Sequence, residues 1–128
     1  MNKMNLVIAA LIGLCISCGQ QNQPAANAAV VNTTTESFEH GKELFMQNCA
    51  SCHAIDKELV GPPMKGSLQR WSDKEKLYRF IRNAPEVIEE DKYAKDLWLK
   101  YNQTTMMPFP DLTDADIDAI FQYTESVK

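Results

Sequence analysis

Cys49-Ala50-Ser51-Cys52-His53 is the stretch on which the reading of this chain turns. Two thiols at i and i+3, followed at once by an imidazole, place three donor groups within one short turn of backbone. That spacing is the attachment pattern for covalent haem. The sulfurs reach the two vinyl groups, and the next residue lies beneath the porphyrin plane, where its imidazole can bind iron. A disulfide, half of a zinc site and a thioredoxin-like dithiol use the same residue types. Structural zinc needs four ligands, and beyond Cys18 the chain adds only His40 to this trio. A thioredoxin-like pair belongs in a βαβ setting, and a disulfide leaves His53 unexplained.

Outward from the motif the hydrophobic period is helical, and no segment alternates as a strand does. A first helix is expected from about Ser37 to Asn48, with Phe38, Gly41, Phe45 and Cys49 on one broad face. After the motif, Gly61-Pro62-Pro63 and Gly66 forbid a continuous helix, so the chain from about Ala54 to Trp71 is expected to wrap as a loop. Ser72 to Glu75 has capping-box spacing ahead of Leu77, Phe80, Ile81 and Ala84, and Pro85 is expected to close that helix. A further helix is predicted from about Glu86 to Tyr101. The acids Glu89, Glu90 and Asp91 are expected near its start, Tyr93, Leu97 and Tyr101 along one side, and Asn102 near its end. Thr113 then opens a last helix that carries Ile117, Ile120, Phe121 and Thr124 at i, i+3, i+4 and i+7. The class is all-α.

The first residues carry different information. Met1 to Asn5 followed by the apolar run Leu6 to Ile16 reads as an export signal, and the run falls short of the roughly 20 residues that span a bilayer as a helix. Ser17-Cys18-Gly19 ends it and resembles the lipobox of bacterial lipoproteins, in which the cysteine is lipidated and becomes the first residue. Cys15 stands where a leucine is usual and is the poorer candidate, because bulky Leu14 precedes it. The competing reading is plain cleavage near Ala26-Asn27-Ala28. Residues 1–17 are therefore expected as signal, 18–35 as a lipidated cysteine with a flexible tether, and 36–128 as the folded domain. An uncharged coil of about 17 residues reaches roughly 20–25 Å.

Of 128 residues, 45% are hydrophobic and 23% charged, which suits one small globular domain. Its core would gain much from a large apolar prosthetic group. Removing residues before Cys18 takes away Lys3 alone and leaves 12 basic against 17 acidic side chains. That balance argues against nucleic acid as a partner.

Taken together, Gly41-x-x-x-Phe45, the Cys49–His53 motif, Gly61-Pro62-Pro63-Met64 and Met107-Pro108 resemble the class I cytochromes c, from about Phe38 to Val127. The resemblance implies a small cytochrome c fold, with about four helices around one covalently bound haem c. Its first and last helices cross, Gly41 and Phe45 meeting Ile120 and Tyr123. It implies that the Pro62 carbonyl accepts a hydrogen bond from His53, with Met64 in place of the family's usual leucine, and that a methionine preceding a proline is the second iron ligand. Two methionines stand there, and Met107 is preferred because Pro108 restricts its backbone; Met106 and Met64 would then fill space. Trp71, or its neighbour Arg70, would hold a haem propionate or pack in the core. His40 is given no role. The function so implied is transfer of single electrons rather than catalysis, on the periplasmic side of a bacterial membrane. Redox proteins such as a quinol-oxidising complex or a terminal oxidase would be the partners, and Cys18 the lipid anchor to the membrane. A fixed haem subunit of a larger complex, and a haem enzyme or gas sensor with a displaceable ligand, are the alternatives.

Overall fold

The structure is a computed structural model that describes residues 26–127, with side chains from residue 34 onward. Among the described residues there are six helices and no strand: α1 (Ala26–Asn48), α2 (Ser67–Arg70), α3 (Lys74–Arg82), α4 (Ala84–Glu90), α5 (Lys92–Lys100) and α6 (Asp114–Ser126). The expected signal, Cys15 and Cys18 lie outside the described residues. No helix among the described residues is long and apolar enough to cross a membrane.

Helix α1 begins at Ala26 rather than near Ser37, so residues 26–35, expected as tether, are helical. Alanines at 26, 28 and 29 have the highest helix propensity, and no glycine or proline falls between Ala26 and Gly41. Helices α1 and α6 form the central crossing. A Cβ built on Gly41 would stand 1.9 Å from the Ala119 carbonyl oxygen, so the two backbones touch at a distance that only glycine permits. Around that point Phe45, Ile120 and Tyr123 are buried together. The Tyr123 ring lies 5.3 Å from Phe38 and 5.7 Å from Phe45. Polar links flank the crossing: Ser37 Oγ donates to Gln122 Oε1 at 2.6 Å, and His40 Nε2 meets Asp116 Oδ1 at 2.8 Å. His40 thus joins the two helices.

The expected helix from Glu86 to Tyr101 is two helices. Asp91 is extended, with φ −114° and ψ 125°, and its side chain accepts from Ala94 N–H at 3.0 Å, which starts α5 afresh. Lys76 Nζ holds the other carboxylate oxygen at 2.9 Å. The preceding break falls at Asn83, and Pro85 sits in the first turn of α4, where a missing N–H costs nothing. Helix α3 is capped by Asp73, whose side chain accepts from Glu75 N–H, in place of the expected Ser72. The last helix starts as expected, with a reciprocal capping box between Thr113 and Asp116. Leu77 and Tyr78 of α3 join Ile117 and Phe121 of α6 in a second buried cluster.

Candidate functional site

Asn48 ends α1, and the backbone turns at once: Cys52 N–H donates to Cys49 O at 3.1 Å and His53 N–H to the same oxygen at 2.9 Å. This compact turn faces an apolar cleft enclosing about 1250 Å³, part of it open to solvent. Cys49, Cys52 and His53 all line it. The two cysteines are not joined as a disulfide, and Cys49 is half-buried while Cys52 is exposed. Burial, and then the neighbouring Cys52, push the Cys49 thiol up to about 11.

The wrapping loop fixes the imidazole. Gly61 N–H donates to Cys52 O at 2.9 Å, folding the loop back on the motif. His53 Nδ1–H donates to the Pro62 carbonyl at 2.8 Å, and this leaves Nε2 free to bind iron. A Cβ on Gly61 would lie 2.5 Å from His53 Cε1, so only a glycine lets the loop lie flat against the ring. The loop is tied to the end of α6 as well: Gly66 N–H donates to Glu125 Oε1 at 2.7 Å, and Lys65 Nζ to Val127 O at 2.7 Å.

A second loop brings sulfur to the same cleft. Asn102 and Gln103 adopt left-handed backbone with φ 56° and 60°, turning the chain sharply after α5. Trp98 Nε1–H then donates to Thr105 Oγ1 at 3.2 Å, and Phe109 N–H to Ile81 O at 3.2 Å. Between these anchors Met106 and Met107 both line the cleft, Met106 half-buried and Met107 72% exposed. Pro108 is exposed and does not line it, so its influence is confined to the backbone.

Gly61, Pro62, Met64 and Trp71 line the cleft. The Trp71 ring packs 5.1 Å from both Phe80 and Tyr93, a core role beside its place in the wall. Arg70 is committed to its own loop, donating to Lys65 O at 2.8 Å, to Ser67 Oγ at 2.7 Å and to Pro63 O. Much of the remaining wall, Phe80, Ile81, Ile88, Leu97, Trp98 and Phe109, carries no site motif in the sequence. The available signal was the apolar stripe on each helix, which marks a buried face without saying what covers it. Among the described residues lining the cleft, none is Asp, Glu, Lys or Arg.

Two cysteine sulfurs, an imidazole with one nitrogen held and one available, and methionine sulfur at an apolar cleft are a donor set that fits haem. An all-helical chain folded over such a cleft is a c-type haem protein. Residues 38–128 match the sequence model of the family Cytochrome c, and the chain belongs to that family. Its cofactor is covalently bound haem c, and members of the family are generally electron carriers. The structure is similar to cytochrome c from Rhodothermus marinus, with 24% identity, a TM-score of 0.59, and coverage of 70% of this chain and 75% of that one. It is also similar to an engineered form of that protein, Rma TDE, with 23% identity, a TM-score of 0.57, and coverage of 70% and 76%. At these identities the likeness shows the fold. No curated protein matches the chain.

Proposed function

We propose that this protein is an exported mono-haem electron carrier whose haem would be held by thioethers to Cys49 and Cys52, with His53 and Met107 as the iron ligands. The observation that carries the reading is the hydrogen bond from His53 Nδ1 to the Pro62 carbonyl, in the same cleft that the methionine loop lines. The haem supplies one-electron redox chemistry when bound. Each part of the chain then has a task. The Pro62 carbonyl fixes the tautomer and tilt of His53 and raises its basicity as a ligand. A methionine sulfur as the second iron ligand would favour ferrous iron over ferric and would leave no open position for oxygen or peroxide. Aromatic and aliphatic walls exclude water, which keeps the change in solvation on electron transfer small.

Met107 is favoured over Met106 because it directly precedes Pro108, which holds its backbone extended. Met107 lines the cleft and is exposed. Cys18 is the proposed lipid anchor on the periplasmic side of a bacterial membrane, and redox proteins such as a quinol-oxidising complex or a terminal oxidase are the proposed partners. The test is acid–acetone extraction of the purified protein followed by a potentiometric titration. Haem retained in the protein fraction and a reversible transition of one electron support the reading, whereas extractable haem overturns it. For the anchor, Cys18→Ser should move the protein from the membrane fraction to the soluble one; an unchanged distribution refutes lipidation there.

A further inference from the structure

Glu58 lies on the loop that follows His53, and a long stretch of sequence separates it from the end of α5. Yet one carboxylate oxygen of Glu58 accepts from two donors there: Lys100 Nζ at 2.6 Å and the Tyr101 hydroxyl at 2.7 Å. The Lys100 ammonium also sits 5.0 Å from the centre of the Tyr101 ring, so the three side chains form one cluster. Its position is the telling feature. Tyr101 lines the cleft, caps α5, and is followed at once by the two left-handed residues that turn the chain into the methionine loop. Among the described residues, no other hydrogen bond or ion pair joins the loop 54–66 to the segment 92–107. Lys100 and then Tyr101 hold the Glu58 carboxyl below the usual carboxylate range, so it stays ionised at neutral pH.

We infer that Glu58, Lys100 and Tyr101 are positioning residues, a clasp that ties the histidine-side loop to the end of α5, from which the methionine loop departs, and so sets how firmly the methionine sulfur is retained. The inference rests on the methionine ligation proposed above. A loop tethered at one end by α5 and at the other by Phe109 N–H to Ile81 O can lift its sulfur only by swinging away from the cleft. The clasp opposes that swing at the α5 end. Two charge-assisted bonds at an exposed site are modest, so opening is a minor excursion in the intact protein and rises with salt as the ion pair is screened.

The test uses the ferric holoprotein and two readouts. Hydrogen exchange at the Gln103 and Thr104 amides, which donate to Trp98 O at 2.9 Å and Tyr101 O at 3.0 Å, reports opening of the loop. Titration with imidazole reports release of the sulfur. Glu58→Gln keeps the shape and removes the charge, and is expected to speed exchange and tighten imidazole binding by about two- to fivefold. Glu89→Gln, at an exposed residue of α4, should change neither. Raising ionic strength should reproduce the effect in the unsubstituted protein and add little in Glu58→Gln. Unchanged exchange in Glu58→Gln overturns the clasp, and faster exchange with unchanged imidazole affinity overturns its role in holding sulfur. If the unsubstituted ferric protein lacks a methionine-to-iron absorption band, the ligation reading fails instead, and with it the sulfur-retaining role.

Discussion

Gly41→Ala tests the helix crossing on which the haem site is built. The new methyl would lie 1.9 Å from the Ala119 carbonyl oxygen and 2.4 Å from its carbon, so α1 and α6 must separate by about 1 Å to bring the nearest contact to 3.0 Å. The obstacle is backbone, and no rotamer change relieves it. Separation loosens the packing of Phe45 against Ile120 and Tyr123, all at or below 9% exposure. Overpacking of this kind costs roughly 1–3 kcal/mol, and the better helix propensity of alanine offsets about 0.5–1 kcal/mol of it. A crossing fixed by backbone belongs at the upper end of that cost, so the net loss is about 2 kcal/mol. For a domain of roughly 100 residues this lowers the melting temperature by about 10 °C. Thermal unfolding of the holoprotein, followed by far-ultraviolet circular dichroism, measures it. An unchanged or raised melting temperature would refute the close approach and the crossing geometry drawn from it.

Further outcomes follow from other positions. Gly61→Ala sets a methyl 2.5 Å from the His53 ring, and should shift the reduction potential or the ferric spectrum while leaving covalent haem in place; potentiometry alongside haem staining of the denatured protein separates the two. Thr113→Ala removes the reciprocal cap of α6 and should cost about 1 kcal/mol in urea unfolding. The Asp116 carboxyl is held down at about 2, below its usual 3.8, first by the Thr113 hydroxyl and then by His40. Because its folded value is depressed, its contribution to stability is fully present above about pH 4 and is lost as pH falls towards 2. Screening at this partly exposed site limits that contribution to about 1 kcal/mol. Unfolding followed between pH 5 and 2 should therefore show a smaller decline in Asp116→Asn than in the unsubstituted protein. Met107→Ala should abolish the methionine-to-iron band of the ferric protein, and Met106→Ala should retain it; the reverse pattern moves the ligand to Met106.

The site was more legible in the sequence than the helices around it. The Cys49–His53 motif and Gly61-Pro62 are local patterns with fixed chemistry, and the structure brings them together at one cleft wall. Helix α6 was equally plain, because its cap and its apolar stripe agree. The break at Asp91 was not legible. A run of acids followed by Lys92 suits one continuous helix by propensity and dipole, and the interruption comes from Asp91 capping a new helix while its second oxygen meets Lys76 from α3. That contact between elements has no sequence signature. The early start of α1 has a related cause, since uncharged alanine-rich sequence suits both a coil and a helix once a docked helix follows it. His40 carries no local signal for a role, because its partner, Asp116, lies far along the chain.

The account stands most directly on a closed iron held between His53 and a methionine. Exposure of the ferrous protein to carbon monoxide at neutral pH tests this in one spectrum. A carrier with its sixth position filled should keep its spectrum unchanged under an atmosphere of the gas. Ready formation of the carbon monoxide adduct would contradict the account and mark the protein as one that binds ligands at its iron.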